Sequence, residues 1–410
     1  MVNSASASGR VDRVFLVQMA IFALATTAVN GSRPMITYRA LDLGASPLQV
    51  GVMAAAFSIA PVGLALVIGR LTDRIGEAWF IRAGVFTVAV GALLAATVNS
   101  LALLALSQVI SGLGHVANLI AGQAMVGKRG DPNSRDHRYG YYATMGSLGH
   151  LVGPLLSTWV IGVWMLGDGS NVQASAFATA AVATLLAFTL ALWLPTTRMP
   201  DSRRQATAPP SDGLIRTARN VFGIKGVPSA MLVSMITIAS VDLVIAYLPL
   251  YGESRGLSVG LVGVLLAIRA AASISVRVFM GRLIARLGRT VLMVLCMSTA
   301  ALGVGLVPLT DSPIMLSLLM ILAGLGLGLG QPMSMAWIAN RSPEGLLGTA
   351  LGLRLTGNRF ALVIVPVVVG GVAGAAGVGI IFWLMALALG AGAIAGYTAP
   401  TDPGASEPMR

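Results

Sequence analysis

Residues 69–76 read Gly69-Arg70-Leu71-Thr72-Asp73-Arg74-Ile75-Gly76, and 212 residues later the chain reads Gly281-Arg282-Leu283-Ile284-Ala285-Arg286-Leu287-Gly288. Each octet is basic, begins and ends on glycine, and interrupts two apolar runs of about 20 residues, the length that carries a helix across a bilayer. The same shift pairs Gly44, Ser46, Val50, Gly51 and Val52 with Gly256, Ser258, Val262, Gly263 and Val264. It also pairs Gly112-Leu113-Gly114 with Gly324-Leu325-Gly326, and Pro154 with Pro366. Leucine and alanine match by chance in an apolar chain, but glycine and proline held at one offset in four regions mark a duplication.

Working outward from the octets, twelve apolar runs are counted: 14–38, 47–69, 79–98, 101–126, 140–166, 173–194, 229–251, 257–280, 290–309, 313–339, 345–370 and 373–397. They are far longer than barrel strands and lack the alternating polar face of a lumen, which excludes a β-barrel. The expected fold is all-α and membrane-integral: twelve transmembrane helices in two six-helix pseudo-repeats. Composition agrees, because only 10% of the 410 residues are charged while 56% are hydrophobic, at a mean hydropathy of +0.83. So few charges cannot coat a water-soluble fold of this size. The domains are expected as a cytoplasmic tail (1–13), an N-terminal bundle (14–194), a polar linker rich in Pro, Ser, Asp and Arg (195–228), a C-terminal bundle (229–397) and a second tail (398–410).

The formal charge of +12 suggests nucleic acid only if the basic residues form one patch. Instead they alternate loop by loop. Twenty of the 27 Lys and Arg fall in alternate connections and tails, whereas the opposite connections hold only Arg39 and Arg255. By the positive-inside rule both termini are expected in the cytoplasm, in a bacterial-type inner membrane. The apolar run after the N-terminal tail exceeds a signal-peptide core, so the segment is expected to be retained. One cysteine, Cys296, leaves no internal disulfide and no Cys-rich metal site. Gly122 to Lys128 imitates a phosphate-binding loop, but Arg129 stands where Ser or Thr must hold magnesium.

The 69–76 octet resembles the G-x-L-x-D-R-x-G loop of the major facilitator superfamily. Gly149-His150-Leu151-Val152-Gly153-Pro154 resembles the G-x-x-x-G-P motif of that superfamily's drug/proton antiporters, the multidrug efflux branch. The resemblance covers all twelve runs in order. It implies a gating role for Gly69, Arg70, Asp73, Arg74 and Gly76 and a flexible point at Gly149, Gly153 and Pro154. Two departures stand out: Ala285 replaces the aspartate in the second octet, and Gln108 stands where exporters usually place an arginine four residues before Gly112.

Charges inside apolar runs are costly unless paired or wet, so they point to function. Asp242 is the acid at mid-depth, in the seventh run, and Asn30 is its repeat counterpart. Asp242 is a candidate proton carrier, with His115 and His150 as further candidates because imidazole titrates near neutrality. A fixed ion pair of Asp242 with Arg269 or Arg33 is the structural alternative. Arg33, Arg269, Arg354 and Arg359 outnumber that acid and suit an anionic solute; Asn30, Asn118, Gln331, Trp337 and Asn358 complete the candidate substrate cavity. The function expected is secondary active, proton-coupled export of small organic molecules by alternating access. The alternative is a proton symporter importing an organic anion. No catalysis, cofactor, metal or nucleic acid is expected; the partners are a small-molecule substrate, protons and membrane lipid, and one copy suffices.

Overall fold

The computed structural model describes residues 13–128, 135–164, 172–196, 222–224, 226–341 and 347–398. The two tails and most of the linker 195–228 lie outside these residues. Among the described residues the chain is helical throughout: α1 (Arg13–Asp42), α2 (Pro47–Ile75), α3 (Glu77–Thr97), α4 (Leu101–Lys128), α5 (Arg135–Trp164), α6 (Val172–Ala191), α7 (Val227–Ser254), α8 (Val259–Val278), α9 (Met280–Leu287), α10 (Arg289–Gly305), α11 (Pro313–Arg341), α12 (Leu347–Ala376) and α13 (Ile380–Thr398). Helices satisfy every backbone donor within the segment, which a lipid environment demands. Eleven of them are long and apolar enough to cross a membrane. The long helix outside that set is α5, whose first turn is Arg135-Asp136-His137-Arg138.

The elements fall into two compact units, residues 1–43 with 56–207, and residues 44–55 with 208–410. The first core joins α1, α3, α4 and α6 through Ile21, Ile81, Val85, Met125 and Ala187. Arg82 fastens the end of α6, donating to the carbonyls of Ala191 (3.0 Å), Leu192 (3.1 Å) and Leu194 (2.7 Å). Those carbonyls have no helical partner, and a cation suits the negative end of the helix. In the second unit Val227, Ala230, Met231, Ile338 and Ala350 form a core of α7, α11 and α12. The first turns of α2 belong to this unit, where Gly51 lies against Tyr247 and the Pro366 carbonyl, and Tyr247 Oη donates to Pro366 O at 2.7 Å.

Glycine lets these helices touch backbone to backbone, and the contacts recur at the offset of 212. Gly114 abuts Gly84 and Val88 across α3 and α4, and Gly326 abuts Cys296 and Ala300 across α10 and α11. Gly112 rests on the Phe57 carbonyl, and Gly324 on the Arg269 carbonyl. Lipid tails are as apolar as leucine, so such close approach is what drives helices together in a membrane. Gly76 (φ 110°) and Gly288 (φ 73°) turn the chain after each octet, in a region that a Cβ disfavours. The octets themselves differ. In the first copy α2 runs unbroken to Ile75, whereas in the second α8 stops at Val278, Phe279 turns, and α9 starts anew.

Candidate functional site

The second unit holds a buried polar cluster where α7, α11 and α12 meet. Arg354 and Asn358 stand one turn apart on α12, so they share a face. Arg354 Nη2 donates to Gln331 Oε1 at 3.0 Å and to the Gln331 carbonyl at 3.3 Å. The same Oε1 accepts from Asn358 Nδ2 at 3.3 Å and from Ser234 Oγ at 3.3 Å, while Ser234 Oγ also reaches Asn358 Oδ1 at 3.0 Å. Gln331 is itself fixed, because its Nε2 donates to the Ser234 carbonyl at 2.6 Å. Arg354 is 7% exposed and its Nε is buried without a hydrogen-bond partner. Neutral oxygens hold one nitrogen of this guanidinium, and no described carboxylate pairs with it. An ion this buried is costly unless a counter-charge arrives, so the arrangement can present two donor nitrogens to an anion.

Arg269 on α8 is a second buried cation, 3% exposed, with an unpartnered Nε and no ion pair among the described residues. The fixed pair with Asp242 that the sequence allowed is therefore not formed by Arg269. Asp242, in the middle of α7, is 5% exposed. Arg359 is half-buried, and Trp337 packs on the core of Val227 and Ala350 while lining a groove beside α9.

In the first unit the candidates gather around Phe57. The Arg33 guanidinium carbon stands 4.9 Å from that ring's centroid, and His115 lies 5.7 Å from it at 41°. Phe57 is the repeat counterpart of Arg269, so one structural position carries a ring in one half and a cation in the other. Asn30, buried on α1, donates to Thr26 O at 2.8 Å. Asn118 is 1% exposed and packs toward α3, its backbone N 2.7 Å and its Cβ 3.1 Å from where a Cβ on Gly84 would stand. His150 is half-buried on α5. Its flanking glycines form a seam: a Cβ on Gly153 would stand 2.6 Å from Thr27 O, and one on Gly31 2.7 Å from Gly153 O. Pro154 sits inside the unbroken α5. Arg70 and Arg74 are exposed at the end of α2; the Asp73 side chain lies outside the described residues.

Long apolar helices that bury arginine, aspartate and amide side chains define a multi-pass membrane protein with polar side chains in its interior. The sequence profile of the Major Facilitator Superfamily matches residues 18–268 and 230–408. The chain belongs to that superfamily. It is 28% identical over 288 residues to an uncharacterized MFS-type transporter, YdeG, of Bacillus subtilis (strain 168), covering 68% of this chain and 66% of the relative, just under two thirds of its length. Solved structures share the fold at low identity. A mutant of the nucleoside transporter NupG superposes with a TM-score of 0.76 at 16% identity, over 93% of this chain and 98% of that one. The D-xylose-proton symporter gives 0.74 at 15% identity over 96% and 98%, and a sulfate-bound peptide transporter of the POT group gives 0.70 at 15% over 95% and 96%.

Proposed function

We propose that this chain is a secondary active transporter in which protons drive the export of small organic molecules across the inner membrane. Two six-helix bundles with cytoplasmic termini alternate access to a central cavity, and one copy suffices. Membership of the superfamily and the glycine contacts repeated at one offset support that architecture. The observation that carries the coupling is Asp242, a carboxylate 5% exposed halfway along a membrane-spanning helix. An acid at this depth in a membrane span is the natural candidate to carry a coupled proton. His115 and His150 are secondary carriers. Arg70, Asp73 and Arg74 latch the cytoplasmic side, as the motif implies. The span-five motif favours export.

A second reading has its own support. Arg354 and Arg269 are both buried without an ion pair among the described residues, which favours an anionic solute and a symporter.

Luminal pH in proteoliposomes separates the two. Solute added outside is expected to alkalinise the lumen if protons leave in exchange and to acidify it if they enter together. Asp242→Asn is expected to abolish the pH change for every solute in a panel of small drugs and organic acids. An undiminished pH change in that variant would remove Asp242 from the coupling step.

A further inference from the structure

We infer that the groove between α9, α10 and α11 is a binding site for an anionic phospholipid. Its acyl chain would lie along the groove and its phosphate on the exposed basic face of α9, at Arg282 and Arg286. The groove is walled by Met280, Ile284, Met293, Met333 and Trp337, and Arg289 also lines it. One face of α9 carries Met280, Leu283, Ile284 and Leu287, and the opposite face carries Arg282 and Arg286. No residue of α9 is buried, and both arginines are exposed without an ion pair among the described residues. A short helix that segregates apolar and basic side chains in this way belongs at a bilayer surface.

Charge selects the occupant. The first copy of this segment balances Arg70 and Arg74 with Asp73 and Glu77. At the same positions the second copy has Arg282 and Arg286 with Ala285 and Arg289, so both acids are gone and a third cation is added. A zwitterionic head brings its own positive group against these arginines. A phosphatidylglycerol head brings only the phosphate, which guanidinium groups bind through paired hydrogen bonds. The break at Phe279, absent from α2, separates this amphipathic turn from the membrane-spanning α8.

Trp337 lines the groove and reports on it directly. The full-length protein in detergent is titrated with phosphatidylglycerol or phosphatidylcholine brominated in the acyl chains, and tryptophan fluorescence is read in the native protein and in Trp337→Phe. Saturable quenching by the brominated phosphatidylglycerol is expected, with the saturable part missing in Trp337→Phe. Replacing both Arg282→Gln and Arg286→Gln is expected to weaken it about thirtyfold, roughly fivefold for each basic residue near the headgroup. Equal quenching by the two lipids, or no effect of the arginine changes, would overturn the assignment. So would competition by inorganic phosphate at the lipid's own concentration, which would give the basic face to a soluble anion. An independent readout is the melting temperature. Phosphatidylglycerol is expected to raise it in the native protein and not in the double arginine variant; an equal rise in both would overturn the site.

Discussion

Valine at position 112 is expected to prevent the first unit from assembling. Any Cβ there falls inside contact distance of the Phe57 carbonyl on α2, and both partners are backbone, so no side chain can swing aside. Overpacked cores lose about 1–3 kcal/mol when side chains can adjust, and here two helices must separate. A cost of about 3 kcal/mol or more is a large share of a typical folding free energy of about 5–15 kcal/mol. Gly324→Val meets the Arg269 carbonyl in the same way and is expected to do the same to the second unit. Gly63→Ala, with nothing within 4 Å of the new Cβ, is the control and is expected to change little. Size-exclusion profiles and thermal melts in detergent measure all three. A well-folded Gly112→Val protein with a native melting temperature would refute the close helix seam.

Gln331→Leu is expected to be the most damaging single change in the polar cluster. It takes away the one oxygen that Arg354, Asn358 and Ser234 share, and with it the donor that fixes the Ser234 carbonyl. Among the described residues Arg354 keeps only the backbone carbonyl of residue 331; losing a hydrogen bond to a charged group costs about 1.5–3 kcal/mol, and each neutral group left unpaired about 1–3 kcal/mol. Adding Arg354→Met is expected to recover most of the loss, because an apolar side chain in the same space has no unmet donors. Arg354→Met alone should cost little stability while abolishing recognition of an anionic solute. A double-mutant cycle on melting free energies, paired with a binding titration, reads both effects. Additive losses would mean that Gln331 does not hold Arg354, and unchanged anion binding in Arg354→Met would place the anion elsewhere.

Much of the frame was legible because glycine and proline are punctuation in a chain of otherwise interchangeable apolar residues. The offset of 212 found in the sequence reappears as matched backbone contacts at Gly112 and Gly324, and at Gly114 and Gly326. The break at Phe279 was not legible. The apolar run 257–280 continues through Val278 and Phe279, so hydropathy contains no sign of the turn that separates α8 from α9.

The candidate site was legible in half. Arg354 and Asn358 announce a shared face by their spacing of four, and Gln331 stands out as an amide in an apolar span. Ser234 was missed because nothing distinguishes it from Ser229 or Ser240 on the same helix; only the packing of α7 on α11 and α12 selects it. Phe57 was missed for the opposite reason. An aromatic residue in a membrane helix is ordinary, and its value lies in the Arg33 and His115 side chains brought to it by α1 and α4. Asn118 stands out in the sequence as an amide in an apolar span, and the fold buries both its amide atoms without a hydrogen-bond partner among the described residues, which spacing alone does not encode.

Proton-driven transport is tested most directly by imposing a pH gradient on proteoliposomes that contain no ATP and following a solute identified by the pH assay. With the lumen acid, solute is expected to accumulate above its external concentration, and a protonophore is expected to release it. Accumulation that ignores the protonophore, or solute movement no greater than in protein-free vesicles, would contradict a proton-coupled exporter.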